Sequence, residues 1–389
     1  MRAGEPRSSP LMLLAITGAS DVPGGIASLN LNILQALAQR AQRGDVQLRV
    51  FSYLEESDAR PDFLPASVEF RGFGGQKALF AAQLARAAAW QRPLFFFDHV
   101  TLALPVLPFA ALDWVRTVIF AHGSEAWRHV TPTSRWSFRH ADLCLANSRF
   151  TLGKMQERLP SFSGEACPLG LSPRFALNER LPETTEETIR MEAADGRERA
   201  LGEQVLLLVG RMVQAEQGKG WRTLIRALSE LLENYPRAQL VFPGPGNEIG
   251  SLKQLARRHG VADHVFLPGF VSHDLLEALY RQCRAYVMPS RQDGFGLVYL
   301  EAMNYGKPCV GCFDDGAEDV IAHEETGYLI GDPGDREELL GVLCRLLDDP
   351  AHARAMGRRG FERLHDRFTA RHFQGRLMSK MERYLPARH

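Results

Sequence analysis

Short apolar runs of four to seven residues alternate along this chain with longer stretches in which apolar residues recur at helical spacing. The run "LMLLAIT" is followed by "GGIASLNLNILQALAQRAQ", where Ile26, Leu29, Ile33, Leu34 and Leu37 share one helical face. This predicts a strand and then a helix. "LRVFSY", "PLFFFDH", "TVIFAH" and "DLCLANS" predict further strands in the first half. A stretch from 178 to 203, "NERLPETTEETIRMEAADGRERALGE", breaks the alternation: it is charged, lacks aromatic residues and has little apolar periodicity. Its composition predicts an exposed linker, with or without a helix. After it the strand pattern resumes in "QVLLLVG", "AQLVFPG", "HVFLPG", "AYVMPS" and "KPCVGC".

Strands interleaved with amphipathic helices predict mostly parallel sheets covered by helices. The fold class expected is therefore α/β, with two doubly wound Rossmann-like domains at 1–177 and 204–365, the linker 178–203 between them, and a C-terminal helix within 366–389 packing back on the first domain. The length agrees, because 389 residues exceed what one hydrophobic core usually organises.

Composition removes several function classes. With 46 basic and 46 acidic side chains the chain lacks the basic footprint of a nucleic-acid binder. No apolar run approaches the roughly 20 residues that span a bilayer. The opening apolar stretch runs into "TGASDVPGG" without a small-residue cleavage site, so it is read as a first strand and not as a signal peptide. Six scattered cysteines fit a reducing cytosol, and a cytoplasmic location is expected. Cys309 and Cys312 have C-x-x-C spacing but no second pair or histidines at ligand spacing, which favours buried structural thiols.

In open parallel sheets ligands collect at the carboxyl ends of the strands. Three junctions there carry candidate chemistry. Gly24 and Gly25 open the first helix, where backbone can approach a phosphate or sugar; an ordinary turn is the alternative. No G-x-G-x-x-G is present, so a dinucleotide fingerprint is not supported. Arg211 sits at a strand exit and Lys219 eight residues later, just before a helix that begins near Trp221, either as a clamp on a diphosphate or as solvated surface cations. In "QDGFGLVYLEAM" Asp293 and Glu301 stand with seven residues between them. There the amides of Gly294, Phe295, Gly296 and Leu297 are expected to form an unpaired phosphate cradle at a helix start. Glu301, one turn inside that helix, is placed to take two ribose hydroxyls, and Asp293 to face a sugar beyond the phosphates. The two acids then bind opposite ends of a nucleotide-sugar, and need not be the acid–base pair of a hydrolase.

"GRMVQAEQGKGWRTLIRA", "PSRQDGFGLVYLEAMNYGKPCV" and "DDGAEDVIAHEETGYLI" together resemble the carboxyl-terminal domain of retaining glycosyltransferases of the GT-B fold, family 4 (glycosyl transferases group 1). The first half fits more loosely through "GGIASLNLNILQAL", "AHGSEAW" and "LANSRFT", and the charged linker is not covered. The resemblance implies two domains facing an interdomain cleft that closes on the donor. It places the family's paired acids on Asp293 and Glu301, its diphosphate-binding cations on Arg211 and Lys219, and its glycine loop on Gly24 and Gly25. His122 matches a histidine near the donor sugar, and the backbone after Gly269, at Val271, would meet the nucleobase. The first acid is commonly Glu in the family; Asp293 is one methylene shorter, which bears on which sugar is taken.

The activity implied is transfer of a sugar from a UDP- or GDP-linked donor to an acceptor hydroxyl on a glycan or lipid-linked acceptor, in surface polysaccharide or glycoconjugate synthesis. It retains anomeric configuration, uses no metal cofactor and assigns no dedicated general base. Asp314–Asp315 and Asp348–Asp349 are adjacent pairs, read as turn and helix-end residues and not as a metal-binding Asp-x-Asp. His99 is read as structural. The segment 127–140, "WRHVTPTSRWSFRH", is either a peripheral contact with an anionic membrane or lipid, or a helix with one buried aromatic face. Two other functions remain open: a nucleotide-sugar epimerase or hydrolase on a similar frame, and a non-catalytic nucleotide-sugar sensor.

Overall fold

The structure is a computed structural model that describes residues 9–19, 24–56, 58–128, 130–159, 162–183, 188–291 and 293–385. The chain divides into two compact units, Met1–Phe175 with Phe368–His389, and Ala176–Arg367. The first unit carries β1 (Leu11–Ile16), β2 (Gln47–Ser52), β3 (Glu69–Gly72), β4 (Leu94–Phe97), β5 (Thr117–Ala121), β6 (Leu143–Ala146) and β7 (Glu165–Ala166). They form one sheet in the order β3-β2-β1-β4-β5-β6-β7, with every pairing parallel. The strand order reverses at β1, where Leu14 lies opposite both Val50 and Phe96. Residues such as Leu13, Leu14, Phe95, Phe96, Ile119 and Phe120 are fully buried, because helices cover both faces of the sheet. That double burial explains why the strands read as continuous apolar runs.

The second unit carries β8 (Arg190–Glu192), β9 (Glu198–Ala200), β10 (Val205–Leu207), β11 (Gln239–Pro243), β12 (Val265–Gly269), β13 (Ala285–Val287), β14 (Cys309–Cys312) and β15 (Gly327–Ile330). Its main sheet, β12-β11-β10-β13-β14-β15, is also parallel throughout and reverses order at β10. Both sheets are thus doubly wound, with a switch point whose carboxyl side is the expected ligand position. Cys309 and Cys312 lie buried in β14; burial pushes both thiols well above the ordinary cysteine range, which keeps them un-ionised.

The stretch 178–203 differs from the linker its charge predicts. β8 and β9 pair as an antiparallel hairpin, Ala193 bridges Phe266, and the Ala194 N–H donates to the Val265 carbonyl at 2.8 Å. Met191, Ala193, Ala194 and Leu201 supply a narrow buried edge. The charges pair on the outer side, Arg190 with Glu198 at 2.6 Å and Arg199 with Asp195 at 2.7 Å. Upstream, Asn178 is held by Asn304: its N–H donates to Asn304 Oδ1 at 2.9 Å and its side-chain amide to the Asn304 carbonyl at 2.9 Å. The segment therefore belongs to the second unit; residues 184–187 of it lie outside the described residues.

The helix Ala370–Met381 packs in the first unit on the helix Gly25–Gln42. Phe373 is fully buried there, with its ring 6.3 Å from that of Phe120. The Arg376 guanidinium donates to the Pro168 and Leu169 carbonyls at 2.8 and 3.1 Å. Residues 386–389 lie outside the described residues.

Two helical glycines of the second unit make opposite demands. A Cβ at Gly357, in the helix Pro350–Arg367, would sit 1.9 Å from the Gly306 carbonyl oxygen, whereas one at Gly341, in the helix Arg336–Asp348, would meet nothing within 4 Å. Gly341→Ala is expected to stabilise the unit by up to about 1 kcal/mol through helix propensity. Gly357→Ala, despite the same propensity gain, is expected to destabilise it by about 1–3 kcal/mol through overpacking. Urea denaturation midpoints of the two variants against the parent chain check both signs.

Candidate functional site

In the second unit the exits of β10, β11 and β12 run together as bare backbone. The Gly210 N–H donates to the Pro243 carbonyl at 3.1 Å, Met212 N–H to Pro245 at 2.8 Å, and Gly244 N–H to Gly269 at 2.7 Å. A Cβ at Gly244 would lie 2.0 Å from the Gly210 carbonyl oxygen, and one at Gly246 the same 2.0 Å from that of Met212. Only glycine fits either position. The result is a ledge at the carboxyl end of the sheet on which peptide groups, not side chains, meet whatever lies above. Phe270, directly after β12, is 76% exposed at one end of this ledge, and Val271 follows it, partly buried.

Arg211 follows Gly210 on this ledge, and Lys219 returns across it: a Cβ at Gly210 would lie 3.3 Å from Lys219 Nζ. One carboxylate joins the two cations, for Glu216 pairs with Arg211 and, at 2.7 Å, with Lys219 Nζ. The Arg211 side chain remains 63% exposed. The structure brings these cations together through an acid that sequence spacing did not single out. Gly220, in left-handed conformation with φ 95° and against Pro289, then starts the helix Trp221–Asn234.

At the exit of β13 the loop through Asp293 departs from the expected cradle. Asp293 Oδ1 accepts the N–H of Phe295 at 3.1 Å and of Gly296 at 2.9 Å. Two of the four amides expected to wait for a phosphate are therefore already satisfied, because an aspartate two and three residues before them caps the turn as a short Asx side chain does. The helix begins at Leu297, so Leu297 and Val298 hold the first helical N–H groups. Gln292 lies outside the described residues.

Behind this loop stands Asp315, fully buried. Its Oδ2 accepts the Asp293 N–H at 3.1 Å and its Oδ1 the Ala317 N–H at 3.0 Å. The Gly316 N–H answers by donating to the Asp293 carbonyl at 2.9 Å, and a Cβ at Gly316 would strike Gly294 at 2.3 Å. Asp315 is thus a turn residue as expected, and also the brace of the Asp293 loop. Burial pushes its carboxyl well above the usual aspartate range; the nearby Asp293 charge adds to this, while the two backbone donors and the Ser290 hydroxyl oppose it.

Glu301 lies one turn inside the helix Leu297–Asn304 and is only 9% exposed. The Tyr280 hydroxyl, from the helix His273–Gln282, donates to Glu301 Oε2 at 2.7 Å. A carboxylate this deep is costly unless hydrogen-bonded. Twenty-one positions separate the pair, on different helices, so spacing offers no signal for Tyr280.

The first unit holds the remaining candidates. Gly24, at φ 132°, precedes the helix Gly25–Gln42; both glycines are exposed, and among the described residues nothing lies within 4 Å of a Cβ built on Gly24. The residues between β1 and this helix at 20–23 lie outside the described residues. The loop at Thr17–Ala19 is braced by two buried acids. Asp98 Oδ2 accepts the Thr17 N–H at 2.8 Å and the Asn30 amide at 2.7 Å, and Glu55 Oε1 accepts the Ala19 N–H at 2.9 Å. His122, half-buried at the exit of β5, bonds through Nε2 to the Asp98 carbonyl. A carbonyl only accepts, so Nε2 carries the proton. The His122 N–H donates to Glu125 Oε1 at 2.6 Å. His99 accepts the Thr101 N–H at 3.3 Å and caps a short 3-10 turn, and burial pushes its imidazole down, the structural part expected of it.

The helix Pro132–His140 buries Phe138 and leaves Trp136 41% exposed, so only part of its aromatic content faces the core. His129 lies outside the described residues. No helix among the described residues is long and apolar enough to cross a membrane.

The family profile of glycosyl transferases group 1 matches residues 192–363. The chain is similar to the GDP-mannose-dependent alpha-(1-6)-phosphatidylinositol monomannoside mannosyltransferase of Mycolicibacterium smegmatis, with 30% identity over 254 residues, 62% of this chain and 63% of that protein. The match therefore spans less than two thirds of that relative's length. Among solved structures, sucrose-phosphate synthase from Thermosynechococcus elongatus superposes with a TM-score of 0.73 at 21% identity, covering 97% of this chain and 99% of that one. Anabaena HepE, solved in complex with UDP and glucose, superposes at 0.71 and 19% identity, covering 96% and 99%. At these identities the superpositions speak for the fold.

The buried Asp315 carboxyl makes stability depend on pH in a defined direction. Its pKa is raised in the folded state, so the folded chain holds a proton that the unfolded chain releases from about pH 4 upward. Its contribution is complete below that range and is lost as pH rises toward the folded-state value. Asp315→Asn is expected to flatten this decline, measured as urea stability of both chains between about pH 4 and 8. Parallel curves would contradict the assignment.

Proposed function

We propose that the chain, whose residues 192–363 match the glycosyl transferases group 1 profile and which has the GT-B fold, is a glycosyltransferase of that family and transfers a sugar from a nucleoside diphosphate donor to an acceptor hydroxyl with retention at the anomeric carbon. The observation that carries this is Glu301, a carboxylate 9% exposed at the carboxyl end of a doubly wound sheet, with its Oε2 held by Tyr280. A carboxylate set by a hydroxyl at this end of the sheet suits the ribose of a nucleotide, which presents hydroxyls in pairs.

Around it the other groups take complementary parts. The glycine ledge and the backbone at Val271 suit a flat base read through peptide groups. Arg211 and Lys219 meet the diphosphate, and Glu216, paired with both, keeps the two cations side by side. The amide of Leu297 at the helix start adds to them, and Gly294, Phe295 and Gly296 shape that turn, with Asp293 as its cap toward the sugar. In the first unit, His122 is the proposed partner of the donor sugar, and Gly24 and Gly25 are proposed donor contacts.

In the proposed reaction the bond from the anomeric carbon to the β-phosphate oxygen breaks, and a bond to the acceptor oxygen forms on the same face. The acceptor proton passes to the departing diphosphate, which leaves no separate general base to assign. The protein contributes position and a fixed positive field where diphosphate charge develops. Donors linked to UDP or GDP, a glycan or lipid-linked acceptor in surface polysaccharide or glycoconjugate synthesis, catalysis without a resident metal, and action in the cytoplasm at the inner membrane face complete the proposal.

Thermal unfolding with UDP-, GDP-, ADP- and dTDP-sugars in the presence of EDTA is the first test. One donor is expected to raise the midpoint, as a ligand of the folded state must, and Arg211→Ala and Glu301→Ala are expected to abolish the shift. In transfer assays Arg211→Ala or Lys219→Ala should lower kcat/KM by about 10²–10³-fold. Absence of a shift with every donor would count against the proposal.

A further inference from the structure

Tyr280 is fully buried, and nothing in its sequence context marks it as functional. Its ring is locked on two sides. It stacks on Tyr305 with centroids 5.6 Å apart and planes 3° from parallel, and it lies tilted against Tyr286 at 6.2 Å. The helix that carries it is anchored just past it, where Lys307 Nζ donates to the Arg281 carbonyl at 2.7 Å. A phenol held in this way delivers its O–H to one place, Glu301 Oε2 at 2.7 Å.

The terminal torsion of a glutamate is broad and nearly two-fold, so packing alone does not fix the plane of its carboxylate. A hydrogen bond from a rigid donor does. Burial, reinforced by the Glu301 charge, pushes the Tyr280 hydroxyl well above the ordinary tyrosine range, so it stays protonated and donates at any working pH. Hydrogen bonds to a charged acceptor are among the stronger ones.

We propose that Tyr280 is a positioning residue that orients the Glu301 carboxylate toward the donor ribose, so that preference for a ribonucleotide over its 2′-deoxy counterpart depends on the Tyr280 hydroxyl. This rests on the donor-site assignment above. Tyr280 touches no substrate; it acts through Glu301.

The test compares binding of UDP, GDP and their 2′-deoxy forms, by calorimetry, to the full chain and to Tyr280→Phe and Glu301→Gln variants. The parent is expected to prefer one ribonucleotide by roughly tenfold. Y280F, which keeps the ring and its stacking on Tyr305, is expected to lose most of that preference while its affinity for the 2′-deoxy forms stays near the parent's, a split that loss of core packing would not produce. A Y280F chain that keeps the parent's preference overturns the proposal and leaves the donor site standing. A parent without ribose preference, unaffected by E301Q, overturns the donor-site assignment itself. Should Y280F not fold, the double variant with Glu301→Gln removes the buried charge together with its donor. The proposal then predicts the same preference as in E301Q alone, and a further fall would contradict it.

Discussion

Close approach of backbone at the strand exits is the constraint on which the second unit depends. A side chain at Gly244 would collide with the Gly210 carbonyl, and one at Gly246 with that of Met212. Because neither carries a side chain, β10 and β11 continue past the sheet in contact, and Arg211 and Lys219 can lie over the same few peptide groups. A larger residue at either position would separate the exits and disperse the two cations. The same logic recurs at Gly316, whose missing Cβ lets the turn after β14 press against Gly294 and so support the loop after β13. The chemistry at this end of the sheet is placed by what the backbone lacks.

On that base the charged groups are arranged in linked pairs. Glu216 gathers two cations, Asp315 braces the loop of Asp293, and Tyr280 fixes Glu301. Each of these three partners stands outside the set that spacing alone singles out for chemistry. Each partner holds its neighbour's charged or polar group at a defined place at the end of the sheet. The Asp293 carboxylate shows the same economy, since it stabilises its own turn through the Phe295 and Gly296 amides and leaves the helix start to Leu297.

Much of this was legible in the chain itself. The strands were, because burial on both faces makes each a continuous apolar run, and the helices were, because Leu29, Ile33 and Leu37 keep their spacing. The hairpin at 190–200 was not: only Met191 and the two alanines after Glu192 face inward, and the charges around them dominate the local composition. At the site, the Asp293 and Glu301 positions and the helix that opens between them could be read from sequence. The capping of the Phe295 and Gly296 amides could not, since the same aspartate fits either a ligand contact or a turn. Nor could Asp315 or Tyr280, whose roles arise when segments 22 and 21 residues apart in the chain are packed together. Burial creates these roles, and burial is a property of the fold.

The most direct measurement is a crystal structure of the chain with an intact nucleoside diphosphate sugar bound. The diphosphate should lie on Arg211 and Lys219 with Glu216 displaced from at least one of them, and the ribose hydroxyls should meet the Glu301 carboxylate while Tyr280 keeps its hydrogen bond. A donor bound with its ribose away from Glu301, or held without either cation, would contradict the assignment of this sheet end as the donor site.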